Sequence, residues 1–558
     1  MWLVFSFTLL IASLAICSAL STASSAASFT FSKASSALSI TSSATCFIFS
    51  TASSDKSLAC SIASSAIFFA LSENSSALSA KALPACLAFS VASSANLLVL
   101  SAARSVASLA LPNRFLKKLL IPIVLLFIFS FAKLMNILIK MRVCVLVGLL
   151  SLSSFSYAQN RETAQLIMED LCSDEFSGRG YINKGDSLAA AYISDKFSEM
   201  GLSKIGASYN LPFQLDVNTI LKSVISFGDK PLKPGYDYLV SPGSPTIKGT
   251  YKVFYVSPRL LASPKVAKKV KKAIKKGYLP VISVYDGKNE LVANNVANIK
   301  KCNEGSMLVF LKKNLTWSVA TKQDKAAEIW LLESAFSPYE PEISVDVEAE
   351  LIKNYQSQNV LGFVPGTTHP DSFIIFCGHY DHLGKMGEAI FYGANDNASG
   401  IAILIDMASY FKNNPQQYSI AFIAFGGEEA GLLGSLNYVK GPAISLAKTK
   451  FVFNMDLMGS GEKGATIVNG SVFKDDFDNL VKINTENDYL PAVYSRGKAA
   501  NSDHYFFTEA GIPSFFIYLM GAYSHYHVPA DNMDNLQLGP YYDKSFLLIR
   551  DFIILLNE

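Results

Sequence analysis

The run SFIIFCGHYDHLG, residues 372–384, decides how this chain is read. Its first half is apolar at almost every position, the signature of a strand buried on both faces. Its second half places His379, Asp381 and His382 within four positions, in a chain with only six histidines. Polar groups that directly follow a buried strand sit at its carboxyl end, where open α/β sheets bind their ligands.

The pattern repeats along the chain. NVLGFVPG (359–366), SIAFIAFG (419–426), KFVFNMD (450–456) and PSFFIYLMG (513–521) are further short apolar runs. Between and after them lie segments with helical spacing, such as SGIAILIDMASYFKNN (399–414), FKDDFDNLVKINTEN (473–487) and YYDKSFLLIRDFIILLN (541–557). Strand and helix in alternation predict an α/β fold, a mixed central sheet with helices on both faces. The strand ends carry the chemistry. Glu428 and Glu429 follow one run, Asp456 closes another, and His525 and His527 follow a third. Asp396, in FYGANDNASG, precedes a helix. Five of the six histidines, all but His369, lie in or beside these clusters.

Carboxylates and imidazoles crowded on one rim are costly unless a cation neutralises them. Histidine nitrogen and carboxylate oxygen are suitable zinc ligands. More than four candidates are present, so two ions sharing a bridging carboxylate fit better than one. Paired ions serve hydrolysis by clamping the nucleophile and the developing oxyanion. In the Glu428–Glu429 pair, one carboxylate can bind metal while its neighbour stays free as general base.

These motifs, in this order, resemble the co-catalytic zinc exopeptidases, which include bacterial secreted aminopeptidases and glutamate carboxypeptidase. The resemblance covers about residues 360–540, with a weaker extension to FSGRGYINKGDSLAAAYI (176–193). It implies the zinc exopeptidase fold, two zinc ions, peptide substrates and hydrolysis by a water that two metals activate. Position by position it implies His379, Asp396, Glu429, Asp456 and His527 as metal ligands, with Asp396 bridging. It makes Glu428 the general base, Asp381 the residue that orients His379, and Tyr526 a phenol near the scissile carbonyl. Asn395 stands where relatives often have Asp, at a position that does not bridge. His382 and His525 match no ligand position and read as rim residues. Asp503 and His504, in SDHYFFTEAGIP, are candidates for substrate or ligand-supporting contacts, although helix capping would explain Asp503 equally well. Two alternatives stay open: a single-zinc acyltransferase like the glutaminyl cyclases, and an inactive binding protein on the same fold. The intact Glu428 speaks against the second.

The remainder of the chain divides by composition. Residues 1–140 read as a low-complexity and hydrophobic segment, Ser/Ala-rich from about Ser18 to Ala110 with the triplet SSA recurring, then an apolar run at 119–139 long enough to span a bilayer. At Met141 a new start follows. MRVCVLVGLLSLSSFSYAQN has the charged start, apolar stretch and small-residue end of a secretory signal peptide over 141–158. We therefore expect translation from Met141 and an exported protein, periplasmic or extracellular, that begins at Gln159. The alternative is a membrane-anchored N-terminal region. Beyond the signal, 159–210 reads as the helical start of the peptidase domain. Residues 211–354 read as a small β-rich insertion, where relatives carry a protease-associated domain that shapes access and does no chemistry. Residues 355–558 are the metal-binding part. In the insertion, SPKVAKKVKKAIKKG (263–277) carries seven lysines around a Val266/Val270/Ile274 stripe and reads as a helix with a solvated basic face. The net charge of +3 gives no global pull toward nucleic acid. No stable membrane insertion is expected of the exported form, and oligomeric state is left open. Cys172, Cys302 and Cys377, an odd and widely spaced set, give no disulfide framework, although they leave room for one bridge.

Overall fold

The structure is a computed structural model. It describes residues 161–558, apart from 286, 304, 305 and 340, together with Pro122 and Leu126. The Ser/Ala-rich segment, the signal peptide and its cleavage point lie outside the described residues. Among the described residues no helix is long and apolar enough to cross a membrane.

The apolar runs are central strands because each must satisfy two cores. In the strand His369–His379, Ile374 and Phe376 point into one cluster and Phe373, Ile375 and Cys377 into another. Side chains alternate between faces along a strand, so an unbroken apolar run fills both sides of a sheet. The first cluster packs under the helices Arg161–Leu171, Gly185–Glu199, Ser399–Asn413 and Pro540–Leu556. The second receives Tyr438 from the helix Leu433–Lys440 and Phe507 from His504–Glu509. His369–His379 lies between the parallel strands Tyr418–Phe425 and Thr449–Met455. Ser514–Met520 continues the parallel set, and Gly464–Val468 pairs antiparallel with it. The sheet is therefore mixed and covered on both faces, as the alternation predicts.

Two long strands carry this sheet outward. Asn210–Phe227 and Glu342–Val364 run antiparallel from the pair Asn210/Val360 to Phe227/Ile343. Near Val360 the second strand pairs with Tyr418–Phe425, and near Ile343 it pairs with Ile247–Val256. The inserted segment builds from there. Ile247–Val256, Tyr278–Ile282, Met307–Lys312 and Ala327–Leu332 are successive parallel neighbours, and Tyr238–Val240 forms an antiparallel edge.

Parallel neighbours need crossovers, so the insertion, which holds more strand than helix, also carries helices between its strands. The Lys-rich helix is present as Val266–Ile274, with Val266 and Val270 buried. A further helix, Glu290–Cys302, is obscured in the sequence by Asn294, Asn295 and Asn298, which are weak helix formers. It forms because the Asn289 side chain accepts from Val292 N at its start. Val296 and Ile299 are buried, and the Asn295 amide donates to Leu261 O and Ser263 O. On its other face the insertion shares a core with Leu383, Met386, Ala389 and Phe391 of the peptidase part.

Candidate metal centre

His379 is the last residue of its strand, and its side chain is fixed by the chain that follows. Its Nδ1 lies 3.0 Å from the main-chain oxygen of Asp381. A carbonyl only accepts, so Nδ1 carries the proton and Nε2 presents a lone pair. That Nε2 faces Asp396 Oδ1 at 3.3 Å and Asp456 Oδ1 at 3.4 Å. His527 repeats the arrangement. Its Nδ1 lies 2.9 Å from Trp317 O, and its Nε2 faces Asp396 Oδ2 at 3.2 Å and Glu429 Oε2 at 3.4 Å. Asp396 thus turns one oxygen to each histidine.

Lone pairs opposed at these distances repel unless a positive charge lies among them. The pKa shifts express the same demand. Burial alone would lower both histidines, yet Glu428 and Asp456 raise His379 well above its ordinary value. Glu429 and Asp396 raise His527 to about 9 against the same opposition. Asp456 Oδ1 is buried and accepts no hydrogen bond. The donor set therefore fits divalent cations of the zinc type, with neutral imidazole and carboxylate ligands.

The ligands are held by a built surround. Ser502 Oγ donates to Asp456 Oδ2 at 3.0 Å, and Asn454 Nδ2 donates to Ser502 Oγ at 2.7 Å. Asp531 accepts from the main-chain N of Asn395 at 2.8 Å and of Asp396 at 3.1 Å, and from the Tyr523 hydroxyl at 2.8 Å. Asn395 Oδ1 accepts from Gly459 N, which ties the Asp396 loop to the chain after Asp456. Arg179 is wholly buried and donates to the main-chain oxygens of Leu171, Tyr380, Tyr392 and Gly393. Its turn can approach because Gly180 lies against Gly384, where a Cβ would come within 2.4 Å of the Gly384 Cα.

Two sequence readings need amendment. The Asp381 carboxylate stands 3.9 Å from His379 Nδ1, so its main-chain oxygen, and not its side chain, orients the histidine. The carboxylate instead accepts from Glu428 N at 3.1 Å and Glu429 N at 3.3 Å and holds the two-glutamate loop. Burial pushes this carboxyl up to about 7. His382, read as a rim residue, is completely buried. Its Nδ1 donates to Glu429 Oε1 at 2.7 Å, which leaves Oε2 turned toward His527.

Above the ligands lies a cleft of about 220 Å³. His379, Asp396, Glu428, Asp456 and His527 form its floor, and Arg496, Asn501, Tyr518 and Tyr526 are among its walls. Tyr526 is half-exposed and stacks on His527, with centroids 3.9 Å apart. Burial and the nearby carboxylates raise its phenol, which keeps it protonated. Burial, reinforced by Glu429 and opposed by His379, raises Glu428 well above the carboxylate range. Asp503 is buried at the N-cap position of His504–Glu509 and makes no capping bond there.

Residues 359–548 match the sequence profile of Peptidase family M28. The chain carries a peptidase family M28 domain. Aminopeptidase YwaD of Bacillus subtilis (strain 168) is 32 % identical over 197 residues, which are 33 % of this chain and 41 % of that protein. A probable zinc metalloprotease of Pyrenophora teres f. teres (strain 0-1) is 34 % identical over 117 residues, 19 % of this chain and 24 % of that protein. The matched segments thus span less than half of these relatives. Among solved structures, the zinc aminopeptidase BSAP from Bacillus subtilis superposes with a TM-score of 0.53 at 18 % identity. It covers 71 % of this chain and 96 % of its own. The M28 domain here has the mixed, doubly covered sheet of that fold.

Arg179, His382, Asp531 and Trp317 are the supporting residues that sequence reasoning missed. Arg179 does stand within the weakly matching N-terminal segment, between two glycines, and a charged residue in so tight a turn is a usable signal. Trp317 had none.

Proposed function

We propose that the protein is an exported zinc-dependent exopeptidase, an aminopeptidase that releases N-terminal residues from peptides with the aid of two zinc ions. The observation that carries this reading is Asp396, whose two oxygens are divided between the Nε2 atoms of His379 and His527. His379, Asp456 and Asp396 would hold one ion, and His527, Glu429 and Asp396 the other. Bound there, the pair would polarise the scissile carbonyl and lower the pKa of water.

The chain's own groups do the rest. Glu428 lies among the same ligand atoms and has a high affinity for a proton. It takes a proton from the attacking water as the new carbon–oxygen bond forms. It gives that proton to the amine nitrogen as the peptide bond breaks. The Tyr526 hydroxyl donates to the carbonyl oxygen while charge builds there. The carboxylates of the cleft floor favour a free α-amino group over a blocked one, which makes the reaction exopeptidic. The name and fold of the Bacillus aminopeptidases support the same substrate class.

Metal analysis of purified protein, with a panel of aminoacyl-coumarins and N-blocked peptides, tests this. Two zinc per chain and turnover confined to free N-termini are expected. Full activity with one zinc, or preference for blocked peptides, would refute it. Export is tested by intact mass from the native host, with an expected start at Gln159.

A further inference from the structure

The two histidines are secured differently. His379 is fastened by the main chain two residues further on. His527 lies in a loop at φ 57, in the left-handed region that a side chain enters only at a cost. What accepts its Nδ1 proton is Trp317 O, 210 positions away in the inserted segment. The bond is returned, because Trp317 N donates to His527 O at 3.0 Å. Trp317 is itself fixed. Its Nε1 donates to Val240 O at 2.7 Å, and its ring stacks on Phe391 with centroids 4.8 Å apart. Three residues later Ala320 O accepts from Asn218 N at 2.8 Å. The connection 313–326 therefore leaves the insertion's sheet after Met307–Lys312, reaches the metal centre, and returns to begin Ala327–Leu332.

We propose that Trp317 is a positioning residue of the metal centre, through which the inserted domain fixes the tautomer and direction of His527 and so retains one of the two ions. The proposal rests on the two-metal reading above. With Nδ1–H committed to Trp317 O, the Nε2 lone pair has one direction, toward Asp396 and Glu429. Without that acceptor the ring loses both its tautomer and its aim. Loss of such a partner typically costs about 10–100-fold in metal affinity. The effect is one-sided, because the other half of the centre keeps its own anchors in Asp381 O and Ser502. The inserted domain thus does more than shape access.

The test uses metal-free protein titrated with cobalt(II), followed by optical absorption and by competition with a chelator. Trp317→Ala keeps the main-chain acceptor but removes the indole anchors on Val240 O and Phe391 that hold it in place. It should therefore bind its first ion with unchanged affinity and its second about 10-fold more weakly, the lower end of the cost of losing such a partner. Trp317→Phe keeps the stacked ring and should restore most of the loss. Ile329→Ala opens the same inserted core without touching His527, and should leave both affinities intact. Gln323→Ala removes the bond to Asn218 Oδ1 that steadies the same connection, and should weaken the same ion in smaller measure. An unchanged second ion in Trp317→Ala, or in Gln323→Ala where Trp317→Ala does not fold, would overturn the proposal. So would an equal loss in Ile329→Ala. Wild-type protein that binds only one ion would overturn the two-metal reading as well.

Discussion

Arg179→Met removes a buried cation whose oxygen partners are all main-chain carbonyls. Four of its bonds are short: 2.8 Å to Tyr380 O, 3.0 Å to Leu171 O, 2.6 Å to Tyr392 O and 2.8 Å to Gly393 O. Methionine matches much of the volume and donates nothing, so four acceptors lose their donor. A hydrogen bond to a charged group contributes about 1.5–3 kcal/mol, and a stranded buried acceptor costs about 1–3 kcal/mol. Removing the buried charge offsets part of this, since its desolvation no longer opposes folding. With water reaching some of the carbonyls, the expected net loss is about 4–6 kcal/mol. Domains are typically stable by about 5–15 kcal/mol, so the variant stands near the limit of folding. Arg179→Lys keeps the charge but not the fork, and should fall between the two. Urea unfolding of metal-free protein measures the difference. A loss under about 1 kcal/mol in Arg179→Met, the ordinary cost of one neutral bond, would refute the reasoning.

Glu428→Gln should keep both metals and lose about 10²–10⁴ in kcat; near-wild-type turnover with metals in place would mean that another group moves the proton. Asp396→Ala should release both ions, whereas His527→Ala should weaken mainly one. Two tightly held zinc ions in Asp396→Ala would remove the bridging role. Burial lowers His504 to about 3 from an ordinary 6.5. The unfolded chain therefore binds more protons between those values, and stability falls as pH drops through 6.5, levelling near 3. His504→Phe, beside Phe516, should flatten this slope in metal-free protein, and superimposable profiles for variant and wild type would count against it.

The strands and the floor of the cleft were legible because both follow local rules. A run such as SFIIFCG declares double burial through its own composition, and the residues after it fall at a strand end wherever the strand lies in the sheet. The supports were not legible, because they act at long range and through the main chain. Trp317 meets His527 with a carbonyl oxygen and an amide, groups that every residue possesses, so no residue type betrays the contact. Asp531 was visible within YHVPAD, but nothing there shows that its carboxylate reaches back to the amides of Asn395 and Asp396. His382 shows the opposite failure. Its residue type was informative, but its place outside the ligand pattern suggested exposure, whereas the fold turns it inward onto Glu429. The helix Glu290–Cys302 was hidden because its three asparagines weaken the helical signal while one of them, Asn295, earns its place by bonding to Leu261 and Ser263.

The chain enters the inserted segment along Asn210–Phe227 and leaves it along Glu342–Val364, and Asn218 and Leu351 are direct partners in that pair. Entrance and exit are therefore one strand spacing apart, about 5 Å. Such a gap can be closed by a two-residue turn, so a shortened chain could keep the host sheet as a simple hairpin. Geometry alone would make the insertion a detachable graft, free to vary in size between relatives. The connection 313–326 removes that freedom at one point. The lysine-covered helix can change without consequence for the cleft, whereas the edge strand Tyr238–Val240 is tied to it through the bond from Trp317 Nε1 to Val240 O, and a chain trimmed to the hairpin would leave the Nδ1 of His527 facing water.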